Sequence, residues 1–235
     1  MIIALVIIVL FCFTLQAISF FVHQARYKNV IDIVKFSFVI LCVYRLNDLY
    51  GIKIDWGFSP RALIMGGLIS VSILIILYTL SRFKAGKSFF IDSRNSGMSP
   101  KQKLRKLFGE LLIETVLYEE ILFRGIIYSV LARLYNPEIA ILFSALLFGA
   151  WHFLPALSFA KNNRSSAKVR VASTVGLNLI ATALAGMILG IARFYGGGLI
   201  LPVMLHYFTN ASALGVSWLQ EGILNTKKAP NKNKS

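Results

Sequence analysis

Long apolar runs recur along this chain, separated by short polar segments rich in lysine and arginine, and that alternation restricts the fold more than any other feature. The runs cover residues 1–22, 30–46, 62–80, 107–134, 139–154, 171–195 and 199–219. Most are long enough to cross a hydrocarbon core of ~30 Å as a helix. Backbone N–H and C=O groups find no water there, so the element such a run forms is one that satisfies its own hydrogen bonds. With 57% hydrophobic residues and a mean hydropathy of +0.69, the chain is too apolar for a soluble domain of its size. The expectation is an all-α fold, a polytopic transmembrane helical bundle of about seven spans, the second and fifth of them short.

A formal net charge of +15 raises nucleic acid as a partner, but the cations lie in the connections rather than on an amphipathic face. Membrane topology accounts for them better. Segments 23–29, 81–109, 155–170 and 225–235 carry +2, +7, +4 and +4, whereas 46–59, 133–138 and 193–198 carry −1, 0 and +1. Cationic loops stay on the cytoplasmic side, so the reading is an uncleaved first helix with its N-terminus outside and the C-terminus in the cytoplasm of a bacterial cell. The partners expected are the lipid bilayer and a membrane-associated peptide or protein, with no nucleic acid. Three segments follow: membrane helices and a basic loop over 1–106, a helical core over 107–219 and a short basic tail over 220–235. Cys12 and Cys42 lie inside apolar runs, which excludes a disulfide framework and a cysteine zinc site. Asp32 and Lys35, three residues apart at the start of the second run, are placed to snorkel or to pair, a structural role in either case.

Within the fourth run, Glu119, Glu120 and Arg124 interrupt an otherwise apolar stretch. A charge at mid-bilayer costs at least about 2.5–3.5 kcal/mol, so three together need partners and imply a purpose. On a helix Glu120 and Arg124 share a face, and Glu119 points about 100° away. Arg124 is therefore expected to hold Glu120, leaving Glu119 to face a cavity. His152 stands in the fifth run, and His206 with Asn210 four residues later in the seventh. At 1.5 Å per residue, Glu119, His152, His206 and Asn210 lie about 18, 20, 11 and 17 Å from the starts of their runs. All four reach the middle-to-inner zone and suit water-mediated acyl hydrolysis. Glu119 would deprotonate a water, His152 would orient it or shuttle its proton, and His206 with Asn210 would donate to the oxyanion. Glu119, His152 and His206 would also serve as an alternative zinc site, although no His-Glu-x-x-His pair occurs and no obligatory cofactor is expected. Trp151, beside His152, is either packing or a pocket wall.

These residues resemble a known set of motifs. Glu119-Glu120-Ile121-Leu122-Phe123-Arg124 is similar to the Glu-Glu-x-x-x-Arg motif of the CAAX protease and bacteriocin-processing (CPBP, or Abi) family of intramembrane endopeptidases, Phe148 to His152 to its Phe-x-x-x-His, and His206 to Asn210 to its His-x-x-x-Asn. The resemblance covers about 107–219. It implies an active site within the membrane and open to the cytoplasm. Glu119 would be the general base, acting with His152, Glu120 and Arg124 its support, and His206 and Asn210 the oxyanion donors. It further implies roles ranging from trimming of prenylated termini to peptide or bacteriocin maturation and self-immunity. A non-catalytic scaffold or immunity protein is the rival reading. A proton-coupled transporter is a weaker one, since no inverted repeat is visible.

Overall fold

The computed structural model describes residues 1–22, 25–83, 97–162 and 171–228. Every regular element among them is helical. In chain order they are α1 (Ile2–Phe21), α2 (Ala25–Tyr50), α3 (Pro60–Arg82), a composite α4, α5 (Pro137–Trp151), α6 (Phe153–Asn162), α7 (Val171–Tyr195) and α8 (Ile200–Lys228). Helix α4 joins Pro100–Arg105, Lys106–Leu117, Tyr118–Glu120, Ile121–Ile127 and Tyr128–Leu134 without a break. Three of the starts share one device. Ser59, Ser99 and Asn136 accept first-turn N–H groups through their side-chain oxygens, and a proline follows each.

Four segments are long and apolar enough to cross a membrane: Ile2–Phe21, Pro60–Arg82, Pro137–Ala160 and Val171–Tyr195. Between 11% and 39% of each apolar window is buried, so most of that surface needs an apolar solvent around it. The remaining helices carry charged or polar groups within them: Lys35 in α2, Glu119, Glu120 and Arg124 in α4, His206 and Gln220 in α8.

The chain forms two compact units, neither continuous in sequence. The first comprises 1–58 and 117–202. Its tightest crossing is α5 on α7, where small residues let backbones approach. A Cβ on Gly149 would lie 2.8 Å from Ala183 Cβ, and one on Gly186 would lie 3.1 Å from Ala145 Cα. The connection 51–59 pairs with the turn before α8 through Leu199 N–H to Asp55 O (3.1 Å) and Ile200 N–H to Trp56 O (2.7 Å). Gly57 and Gly198 meet there backbone to backbone with no room for a side chain on either, and Gly57 has φ +65°. The turn at Gly196-Gly197-Gly198 is thus also a docking point.

The second unit comprises 59–116 and 203–235. Gln220 Nε2 donates to Ser81 O at 3.1 Å, Glu221 accepts from Gly97 N–H at 2.6 Å, and Lys103 Nζ lies 5.2 Å over the Trp218 ring. An apolar groove of about 690 Å³ runs between Leu74, Ile75 and Tyr78 of α3 and Ala211, Gly215 and Leu219 of α8.

The short second run lies inside a longer helix, the 26-residue α2, which is not among the segments apolar enough to cross. One expectation about the spans needs correction. The fifth does not close at Pro155. The helix breaks at His152 and resumes as α6, whose third residue is Pro155, and a proline is tolerated there because first-turn N–H groups have no intrahelical partner. The loop read over 155–170 is accordingly helical as far as Asn162. Residues 84–96 of the basic stretch, 163–170 of the connection after the fifth run, and 229–235 of the tail lie outside the described residues.

Candidate active site

Helix α4 departs from regular winding on both sides of the glutamates. Widened π-type turns over Lys106–Leu117 and Ile121–Ile127 flank a single α turn, Tyr118–Glu120. The Thr115 hydroxyl marks the longer repeat by donating to the carbonyl of Glu110, five residues back, at 3.0 Å. More residues per turn means less rise per residue, so Glu119 lies closer to the start of its run than the ~18 Å that regular winding gives.

In the first unit, Glu120 and Arg124 are both fully buried, and Arg124 Nη1 donates to Glu120 Oε1 at 3.0 Å. Arg124 Nη2 donates to the carbonyl of Gly186 on α7 at 2.9 Å, and the guanidinium lies 4.3 Å over the Phe148 ring of α5. The charge is therefore met by a carboxylate, a carbonyl dipole and an aromatic face, the company a desolvated guanidinium requires. Neighbouring helices also reach the backbone of this turn. Ser144 Oγ donates to Phe123 O at 2.9 Å, and Arg193 Nε to Arg124 O at 3.3 Å.

Glu119 is 6% exposed and points elsewhere, as its spacing from Glu120 requires. Its Oε1 accepts from the indole Nε1 of Trp151 at 2.9 Å. Trp151, which the sequence leaves between packing and pocket wall, is a hydrogen-bond donor to this carboxylate. The available clue was that a tryptophan in an apolar interior carries one N–H that must find an acceptor. Sequence alone does not say which acceptor it meets.

His152 follows directly and terminates α5, with its N–H donating to Gly149 O at 3.1 Å. Its ring is half-buried, 4.6 Å from that of Phe148, and Nδ1 lies 2.8 Å from the Phe148 carbonyl. A carbonyl only accepts, so Nδ1 carries the hydrogen and Nε2 is the lone-pair nitrogen of the neutral ring. In the second unit, His206 is buried and Asn210 half-buried, one turn apart on the same face of α8. Among the described residues no group of three or more His, Cys, Asp or Glu side chains is disposed to hold a metal ion.

Residues 106–212 match a family model described as type II CAAX prenyl endopeptidase Rce1-like, and that segment contains Glu119, Glu120, Arg124, His152, His206 and Asn210. No curated protein and no solved structure gives a significant match. The apolar helices and this match together describe a multi-pass membrane protein. Residues 106–212, a little under half of the chain, are thus similar to the Rce1-like type II CAAX prenyl endopeptidases.

Proposed function

We propose that this protein is a glutamate-dependent intramembrane endopeptidase that cuts a membrane-associated peptide or protein near its terminus. Glu119 takes a proton from water, and the oxygen attacks the scissile carbonyl as that proton leaves. His206 and Asn210 donate hydrogen bonds to the tetrahedral oxyanion. Collapse breaks the C–N bond, and the departing amine takes the proton back from Glu119, directly or by way of His152 Nε2. The Glu120–Arg124 pair holds the backbone of α4 and does not exchange protons with substrate. No step requires a metal.

The observation that carries this reading is a carboxylate buried in an apolar segment and oriented by an indole N–H, one residue before the Glu120–Arg124 ion pair and inside the family-matched region. The charge pattern supports a bacterial cytoplasmic membrane, with the N-terminus outside and the site opening to the cytoplasm. A prenylated or leader-type peptide is the substrate class, and peptide maturation or self-immunity the setting.

The test compares wild type with Glu119→Gln, matched for stability in detergent, on a prenylated C-terminal peptide and a set of leader peptides read by mass spectrometry, with and without chelator. Removing the base should lower the rate by roughly 10²–10⁴-fold, and chelator should leave wild type unchanged. Equal cleavage by both proteins refutes the glutamate mechanism. Loss with chelator moves the reading to a metal enzyme. No cleavage by either, with full cellular function of the variant, moves it to a membrane scaffold.

A further inference from the structure

The first 105 residues lie outside the family-matched segment, yet two of their helices reach the side chains around Glu119. Phe13 of α1 meets the Trp151 ring edge-on at 5.1 Å. Tyr118, the residue before Glu119, lies 5.9 Å from Trp151 on another side, and Phe123 lies 5.7 Å away at 76°. Lys35 of α2 sits 5.2 Å over the Tyr118 ring, and its ammonium is fixed by Asp32 Oδ1 at 2.8 Å and Gln16 Oε1 at 3.1 Å. Trp151 is 3% exposed and Tyr118 2%. The indole is held on three sides, and its one N–H is directed at Glu119 Oε1.

We infer that Trp151 is a positioning residue for Glu119 and that α1 and α2 complete the active site by clamping it, Phe13 directly and Lys35 through Tyr118. The inference rests on the proposed role of Glu119. An indole N–H on one carboxylate oxygen fixes the plane of the group, and a base held in that plane meets its water in one orientation. Packing alone would need the ring but not the nitrogen. Trp151→Phe separates the two, because it keeps an aromatic ring and removes the donor. A hydrogen bond to a charged group corresponds to roughly 10- to 100-fold in rate.

Two measurements on the full-length protein test this. In steady-state cleavage of the peptides above, Trp151→Phe should lower kcat by about 10- to 100-fold and leave KM within about twofold. Phe13→Ala should lower kcat in the same direction, and Phe13→Tyr, which keeps the ring edge, should restore it. Three tryptophans give three indole N–H signals in a ¹⁵N spectrum of the protein in detergent. The one absent in Trp151→Phe should shift in Glu119→Gln and in Phe13→Ala, while those of Trp56 and Trp218 stay in place. Cleavage that survives Glu119→Gln, or wild type that cleaves no probe, sinks the glutamate reading, and the spectrum then judges the clamp by itself. Cleavage lost in Glu119→Gln but undiminished in Trp151→Phe and Phe13→Ala, or an indole signal indifferent to both changes, overturns the positioning role alone.

Discussion

Replacing Arg124 by methionine keeps most of the side-chain volume and removes the charge. Glu120, with 0% side-chain exposure, then loses the guanidinium 3.0 Å away, and breaking one half of a buried pair costs about 3–5 kcal/mol. The Gly186 carbonyl keeps its own helical donor and loses the second one that Arg124 supplies, for about 0.5–1.5 kcal/mol. These losses overlap, and a total near 4–5 kcal/mol is expected. The double change Glu120→Leu with Arg124→Met removes both charges of the pair, and the Gly186 carbonyl loses only its second donor. It should cost less than Arg124→Met alone, with a coupling energy of at least about 2 kcal/mol between the two positions. SDS-titrated unfolding in mixed micelles, followed by far-UV circular dichroism, measures each corner of this cycle. Single effects that add to the double within about 0.5 kcal/mol would show that the pair is not an energetic unit and refute the reasoning.

Three further outcomes follow from the geometry. Gly149→Ala places a methyl 2.8 Å from Ala183 Cβ and should destabilise by about 1–3 kcal/mol, whereas Gly176→Ala on the same helix pair meets nothing within 4 Å and should stabilise by about 0.5–1 kcal/mol in the same unfolding assay. Lys35→Met strands Asp32 and should lower the thermal midpoint in detergent, and adding Asp32→Asn should recover most of that loss. Gly198→Ala drives a methyl into the Gly57 backbone and should part the Asp55–Leu199 and Trp56–Ile200 bonds, read as new protease sensitivity in residues 51–59.

Much of the helical architecture was legible because a bilayer leaves one solution to a long apolar run, and the three N–P or S–P starts state where helices begin. The Glu120–Arg124 pair was legible for the same reason: two charges one turn apart in hydrocarbon have each other as the nearest remedy. The widened turns of α4 were not, since residues 106–117 and 121–127 look like any apolar helix and the choice between i→i+4 and i→i+5 bonds is made by packing. Nor was the continuation past Pro155, because the break sits at His152, which has no intrinsic breaker character. The contact of Trp151 with Glu119 spans 32 residues, and single-sequence patterns carry no information at that range.

Arg124 also sets a schedule for making the protein. Its second acceptor, the Gly186 carbonyl, is 62 residues downstream, and Arg193, which donates to the Arg124 carbonyl, is 69. At a translation rate of about 5–20 residues per second, α4 leaves the ribosome roughly 3–12 s before Gly186 does. During that interval Glu120 has been synthesised but Gly186 and Arg193 have not. A chain truncated before α7 should therefore be a preferred substrate for membrane quality control, and Arg124→Met should relieve that sensitivity only when Glu120→Leu accompanies it.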